Sequence, residues 1–272
     1  MAISVVESGN LEAPTLVCLP GMIGGPSDFK KINAGLEDHF HLLVVDINTN
    51  TRDEGIKGLK EESVENINYR EVAREISEHL LERFPEKQVY LVGLSIGGKI
   101  AYHFIADHPE KFLGGVITDM TPGLMEHTDL FQNVIRTVES MNLNQDWNGI
   151  KSELNDKIAD RNFRVLIKSQ IFFPTPGAAA EWRNGMDGLE RLLKRSSTDE
   201  LWAQLKEAEA FLTENKRMLK ILKAERMSGI AACDEKRLRE LKFVSIETIS
   251  NATHFIHINE VERLRGGILS LL

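Results

Sequence analysis

Residues 88–98 read Gln-Val-Tyr-Leu-Val-Gly-Leu-Ser-Ile-Gly-Gly. The apolar run Gln88–Val92 predicts a buried strand, and a helix is expected from Ile96 to about Ala106. A strand-to-helix turn this sharp strains the backbone of Ser95 and exposes its hydroxyl, while flanking glycines remove side chains that would collide. The context favours a nucleophilic Ser95, although a Gly-Ser-Gly cluster is otherwise commonly a simple loop.

Short apolar runs on both sides of this turn predict further strands. They alternate with helical patterns, such as the stripe formed by Val72, Ile76 and Leu80. Continuous runs of this kind suit parallel strands that are covered on both faces. The predicted strands are residues 15–19, 41–46, 88–92, 112–117, 218–223 and 243–249.

The pattern changes between about Pro122 and Asn215, where the periodicity is helical and no strand run is convincing. The run from Phe172 to Gly177 divides this region into two helical parts. We expect residues 122–215 to form a helical lid over an α/β core made of residues 1–121 and 216–272. An ordinary helical layer of the core is the alternative.

Composition limits the classes of function. The chain has 272 residues and a formal net charge of −8, so a nucleic-acid partner is not expected. Two distant cysteines, Cys18 and Cys233, give neither a disulfide framework nor a metal-binding spacing. The amino terminus lacks the features of a signal peptide, and no apolar run approaches the length of a membrane span. We expect a cytoplasmic protein without a metal or cofactor.

The turn at Ser95, with its flanking strand and helix, resembles the nucleophile turn of the α/β-hydrolase family, and the resemblance spans nearly the whole chain. It implies a mostly parallel eight-stranded sheet with helices on both faces and a helical cap inserted after the family's sixth strand. It also implies a catalytic serine, acid and histidine in that order along the chain.

The segment Asn251–Glu260 is similar to the family's histidine loop. His254 matches the catalytic position and Glu260 matches the acidic residue that follows it. The family usually has glycine before the histidine, whereas this chain has Thr253. A serine needs a base, and His254 is the expected one; His257 is its rival. His127, at the start of the lid, is a further candidate for reaching the substrate.

The loop Leu19–Gly25 follows a predicted strand and resembles the family's oxyanion loop, with Pro20 in place of the usual histidine. The donor in this loop is a backbone amide, so the change at residue 20 leaves the chemistry intact. We expect the Met22 and Ile96 amides to form the oxyanion hole. A simple glycine turn is the alternative.

The acid departs from the family's usual place, because the segment Ala224–Ile230 has no aspartate where one is expected and Ser228 lies close to that position. Asp119 follows the predicted strand 112–117. This arrangement resembles that of some small-ester hydrolases of the family, in which the acid comes from this position. We expect Asp119 to orient the base. Glu225 and Asp234 are the alternatives.

These residues predict an acyl-enzyme mechanism that acts on carboxylic esters or thioesters of small or medium apolar substrates. Apolar side chains in the lid suggest an apolar pocket, although most should pack the lid onto the sheet. They are Phe131, Trp147, Phe172, Phe173, Trp182, Leu189, Leu193, Trp202 and Phe211.

Two other classes of function fit the same fold. The first comprises carbon–carbon hydrolases, cofactor-free haloperoxidases and lyases, which have a similar triad. The second is a non-catalytic ligand-binding protein, which would usually lack one triad residue.

Overall fold

A computed structural model describes residues 2–22, 24–48, 68–85, 87–183 and 199–272. The strands within these ranges are β1 (Ala2–Gly9), β2 (Thr15–Leu19), β3 (His41–Asn48), β4 (Val89–Leu94), β5 (Phe112–Thr118), β6 (Ile171–Phe172), β7 (Glu181–Trp182), β8 (Leu219–Ala224) and β9 (Val244–Ile249). The helices are α1 (Pro26–Asn33), α2 (Tyr69–Arg83), α3 (Ile96–Asp107), α4 (Thr128–Glu139), α5 (Trp147–Lys157), α6 (Arg161–Ser169), α7 (Asp199–Glu214), α8 (Ala232–Arg239), α9 (Ile256–Asn259) and α10 (Val261–Leu269).

The main sheet has the strand order β1-β3-β2-β4-β5-β8-β9, and only β1 pairs antiparallel to its neighbour. All six strands expected from the sequence are confirmed to within two residues at either end. The expected eighth strand is not found in the described ranges, so the sheet has seven strands there. Its edge strand β1 carries exposed Ser4, Glu7 and Ser8, as is typical of a strand that ends a sheet.

Parallel strands need cover on both faces, and alternate residues of the central strands supply two apolar layers. On one face, Val17 and Leu91 pack with residues of α2 and α3. On the other face, Leu16 and Val92 pack with residues of α1 and α10. Because β2, β4, β5 and β8 are parallel, their carboxyl ends lie at the same edge of the sheet. The loops that follow these strands can therefore share a site.

The segment between β5 and β8 contains α4, α5, α6 and α7, as its helical periodicity predicts. The prediction that it has no strand is wrong, because β6 and β7 form a short antiparallel hairpin. Each of these strands has only two residues, which is too short to show alternation in the sequence. Helix α7 packs against α3.

None of the helices in the described ranges is long and apolar enough to cross a membrane. Within the same ranges, His, Cys, Asp and Glu side chains form no group of three or more that could hold a metal ion. Both cysteines are free; Cys18 is buried in the core and Cys233 is exposed.

Candidate active site

Ser95 lies between β4 and α3, where its backbone adopts φ 50° and ψ −118°. Residues other than glycine rarely adopt a positive φ, and such backbone strain costs on the order of 1–3 kcal/mol. The turn is held by a hydrogen bond from Gly98 N–H to the Ser95 carbonyl at 2.7 Å. The strained turn places Ser95 at the amino terminus of α3, where backbone dipoles favour negative charge.

Glycines flank Ser95 because the backbone passes too close for a side chain. A Cβ atom on Gly93 would lie 2.7 Å from the Gly98 Cα, and one on Gly97 would overlap the carbonyl oxygen of Leu19. These contacts explain in physical terms why the pattern has glycine on both sides of the serine.

His254 follows β9 and is 4% exposed. Its Nε2 lies 2.8 Å from Oγ of Ser95, across 159 positions of sequence. The Phe131 ring, from α4, packs against the imidazole in an edge-to-face arrangement with ring centroids 5.3 Å apart. The structure thus brings the predicted base to the predicted nucleophile.

Asp119 is completely buried at the end of β5, and its Oδ2 lies 2.8 Å from Nδ1 of His254. Oδ2 also accepts a hydrogen bond from Gly229 N–H at 2.7 Å. Oδ1 accepts hydrogen bonds from Ala224 N–H at 2.9 Å and from the Ser228 hydroxyl at 2.7 Å. Burial alone would raise the pKa of Asp119, but these donors, led by His254, outweigh it and lower the pKa below its usual value. The carboxyl group is therefore held as a carboxylate.

The two alternative acids do not reach His254. Glu225 is exposed, and its Oε2 accepts a hydrogen bond from Asn251 N–H at 2.7 Å. Asp234 lies in the first turn of α8, near the start of the helix as predicted, and accepts a hydrogen bond from the Thr121 hydroxyl at 2.9 Å. Only Asp119 among the three candidates contacts the imidazole.

His257, the rival base, is 7% exposed and lines the same cavity as Ser95 and His254. Burial, together with the nearby His254, lowers the pKa of His257 to about 3, so its imidazole stays neutral. The hydroxyl of Ser95 is paired with His254 instead. His127 lines a different cavity, beside Gly123 and Trp202, and Glu260 lies between α9 and α10.

The Met22 and Ile96 amides are positioned by the two loops that meet at Ser95. A Cβ atom on Gly21 would lie 3.8 Å from Cβ of Ser95, so the loop after β2 rests against the nucleophile turn. Within the described part of the chain, neither amide donates a hydrogen bond. The expectation that these two amides form the oxyanion hole stays a prediction.

A cavity in front of Ser95 has a free volume of about 20 Å³, which is close to the space of one water molecule. Its apolar wall is formed by Phe131, Phe163, Leu166 and Phe255. Of the described lid side chains that were expected to supply an apolar pocket, only Phe131 lines this cavity. Trp202 is buried elsewhere, Phe172, Phe173 and Phe211 are over one-third exposed, and Leu189 and Leu193 lie outside the described residues.

Three members of the cavity wall are not predicted by the sequence: Phe163, Leu166 and Asp28. Phe163 and Leu166 belong to α6, whose apolar residues mark a helix face but do not say what that face covers. Asp28 lies in the first turn of α1, where an acidic residue is common for reasons of the helix dipole alone.

Comparison with known proteins agrees with this architecture. A solved esterase from a marine microorganism superposes with a TM-score of 0.79, at 19% identity and with 99% of each chain covered. The solved structure of E-2-(acetamidomethylene)succinate hydrolase gives a TM-score of 0.74 at 17% identity, covering 99% of this chain and 94% of that one. At these identities the likeness shows the fold alone.

A Bacillus subtilis (strain 168) protein that bears the provisional name 2-succinyl-6-hydroxy-2,4-cyclohexadiene-1-carboxylate synthase is 21% identical over 279 residues. The match covers 98% of this chain and 93% of that protein. The family model described as alpha/beta hydrolase fold matches residues 14–149, which include β2 to β5 and the turn at Ser95. Sheet order, nucleophile turn and family match agree, and the chain belongs to the α/β-hydrolase fold family.

Proposed function

We propose that this chain is a serine hydrolase that cleaves a carboxylic ester or thioester of a small or medium apolar substrate through an acyl-enzyme. The observation that carries the proposal is the continuous relay from Ser95 Oγ to His254 Nε2, and from His254 Nδ1 to Asp119 Oδ2, with 2.8 Å at each step. A buried chain of nucleophile, base and carboxylate is the arrangement that activates a serine hydroxyl.

In the first half-reaction, Ser95 Oγ forms a bond to the carbonyl carbon of the substrate while its proton moves to His254 Nε2. Asp119 stabilises the resulting imidazolium through Nδ1. The carbonyl electrons become an oxyanion, which the Met22 and Ile96 amides stabilise. Collapse of this intermediate breaks the bond to the leaving alcohol or thiol, which takes the proton from Nε2. An acyl group then remains on Ser95.

In the second half-reaction, water replaces the departed group. His254 Nε2 accepts a proton from the water as its oxygen bonds to the acyl carbon. The second tetrahedral intermediate rests on the same two amides and then collapses. Ser95 Oγ leaves and regains its proton from Nε2, which restores the enzyme and releases the acid.

We further propose that residues 122–215 include a cap that controls access to Ser95. Phe131 on α4 and Phe163 and Leu166 on α6 line the cavity in front of the serine. Because the remaining free volume is about 20 Å³, an ester substrate requires these side chains to move apart. Their apolar character favours an apolar portion of the substrate beside them.

A second candidate function uses the same relay for another reaction, as a carbon–carbon hydrolase, cofactor-free haloperoxidase or lyase. The similarity to a protein provisionally named as a synthase, over 98% of this chain, supports keeping this candidate. Such a reaction needs His254 as a base, but it does not need an acyl group on Ser95. Detection of the acyl-enzyme therefore separates the two candidates.

The test combines active-site labelling with turnover. A fluorophosphonate probe should label the wild-type protein and not the Ser95→Ala variant, whereas Ser140→Ala, which changes an exposed serine, should label fully. A panel of p-nitrophenyl esters should give turnover, and rapid quenching followed by mass spectrometry should detect the acyl group on the peptide that contains Ser95.

Two outcomes would contradict ester hydrolysis. Probe labelling without turnover of any ester or thioester would favour the second candidate. An absence of labelling at high probe concentration would favour a ligand-binding protein that retains the fold.

A further inference from the structure

The wall of the cavity in front of Ser95 includes two polar side chains that the hydrolytic mechanism does not use. Asp28 Oδ2 and His257 Nδ1 are both buried, and neither has a hydrogen-bond partner within the described residues. Both residues line the same cavity as Ser95 and His254. A buried polar atom without a partner is costly, so such an atom is expected to pair with water, an ion or a ligand.

Asp28 is fixed in this place by the loop that precedes α1. Its N–H donates to the Gly25 carbonyl at 3.0 Å, and its Oδ2 lies over Gly24, where a Cβ atom would overlap it. Burial raises the pKa of Asp28 to about 7, so the carboxyl group can be either ionised or protonated near neutral pH. Asp28 can therefore accept or donate a hydrogen bond.

His257 contributes a neutral imidazole to the same wall. It is 7% exposed, and its pKa of about 3 excludes a cationic form at neutral pH. A neutral imidazole nitrogen either donates or accepts, according to the tautomer. The wall also includes the apolar side chains of Phe131, Phe163, Leu166 and Phe255.

We propose that Asp28 and His257 form a subsite that binds a hydroxyl group of the substrate. A hydroxyl both donates and accepts, so its chemistry matches both Asp28 Oδ2 and His257 Nδ1, whichever protonation state or tautomer each has. This inference rests on the proposed hydrolase function, and it narrows the substrate to a hydroxylated ester or thioester with an apolar chain. An unsubstituted ester leaves both polar atoms unpaired, and a site of this kind discriminates against it.

The test measures binding without turnover, in a Ser95→Ala background. Isothermal titration calorimetry would compare ethyl 3-hydroxybutyrate with ethyl butyrate, and ethyl 6-hydroxyhexanoate with ethyl hexanoate. We expect the hydroxylated ester to bind at least about tenfold more tightly in one of the pairs. Introducing Asp28→Leu or His257→Phe should reduce that ratio to about one.

Asp28→Asn provides a variant of nearly the same shape in case the leucine variant does not fold, and it should lower the ratio without abolishing it. Asp38→Leu changes an exposed aspartate and should leave the ratio unchanged. Equal binding within each pair, no binding of any hydroxylated ester, or a preference that survives Asp28→Leu and His257→Phe would overturn the subsite. Tighter binding of a matched aminoacyl ester than of the hydroxylated ester would also overturn the proposal, because it would show that the subsite binds a cation.

Failure of the two proposals gives different results. If the wild-type protein lacks fluorophosphonate labelling but the Ser95→Ala variant prefers hydroxylated esters, hydrolysis is refuted and the subsite remains. If the protein labels and turns over esters without any hydroxyl preference, the subsite is refuted and hydrolysis remains.

Discussion

The hydroxyl of Ser228 donates a hydrogen bond of 2.7 Å to Oδ1 of Asp119. Ser228 lies close to the position where the family resemblance places the acid, and Asp119 comes from a different strand end, 109 positions earlier. The two residues thus meet at the carboxyl edge of the sheet, where β5 and β8 are neighbours. This contact explains how Asp119, which follows β5, can pair with His254. Ser228, in the loop where the family usually has the acid, supports Asp119 with its hydrogen bond.

The first prediction concerns the acid. Asp119→Asn should lower kcat on p-nitrophenyl esters by about ten-thousand-fold, because an amide cannot stabilise the imidazolium as a carboxylate does. Glu225→Gln, a substitution of the same kind at an exposed residue near the site, should have little effect. Circular dichroism should show both variants folded. Loss of activity in Glu225→Gln but not in Asp119→Asn would show that the acid is assigned wrongly.

Much of the fold follows from local signals. The strands around Ser95 are continuous apolar runs, and the turn requires glycines wherever the backbone passes closely. The placement of Asp119 could also be inferred, since parallel strands end at the same edge. The strands, the turn and the position of Asp119 each depend on a few neighbouring residues, so they can be predicted from the sequence.

Other features depend on packing between distant segments. β1 has exposed polar residues on an edge, so its apolar alternation is weak and the sequence did not reveal it as a strand. Asp28 lines the Ser95 cavity together with Phe131 of α4 and Phe163 of α6, which lie more than 100 positions away in the sequence. No local pattern distinguishes such a carboxyl from an ordinary acidic residue in the first turn of a helix.

The second prediction concerns Gly229, whose N–H donates to Asp119. A Cβ atom there would lie 2.7 Å from the Asp119 carbonyl oxygen and 3.1 Å from Cε1 of His254. Gly229→Ala should therefore displace the imidazole and lower kcat/KM by at least about tenfold. Gly266→Ala is the matched control, because Gly266 lies in α10 with open space around its Cα. Equal activity of the two variants would contradict a close fit at Gly229.

The third prediction concerns the width of the cavity. Phe131→Ala removes a ring that lies against both His254 and Phe163, so it should shift the preference toward longer acyl chains. Values of kcat/KM for p-nitrophenyl esters from acetyl to decanoyl measure this preference. The free energy of unfolding should also fall by about 3 kcal/mol, because Phe131 is buried.

The control for Phe131 is Phe173→Ala. Phe173 is 40% exposed and packs against Trp147, outside the cavity wall. Its truncation should leave the chain-length profile unchanged. The same profile in the wild-type protein and in Phe131→Ala would show that Phe131 does not limit the substrate.

The fourth prediction concerns Lys99, a fully buried lysine whose Nζ donates to the Gly123 carbonyl. Burial lowers the pKa of Lys99 to about 7, and Asp234 offsets this only in part. In the unfolded chain a lysine has a pKa of about 10.4, so between pH 7 and pH 10 the unfolded state binds more protons. Stability from this residue must therefore rise with pH across that window and be lost as pH falls toward 7. Chemical denaturation measures the free energy of unfolding at each pH. Between pH 7 and pH 10, this free energy should increase for the wild-type protein relative to Lys99→Met. The difference between the wild-type protein and Lys30→Met, which changes an exposed lysine, should stay constant.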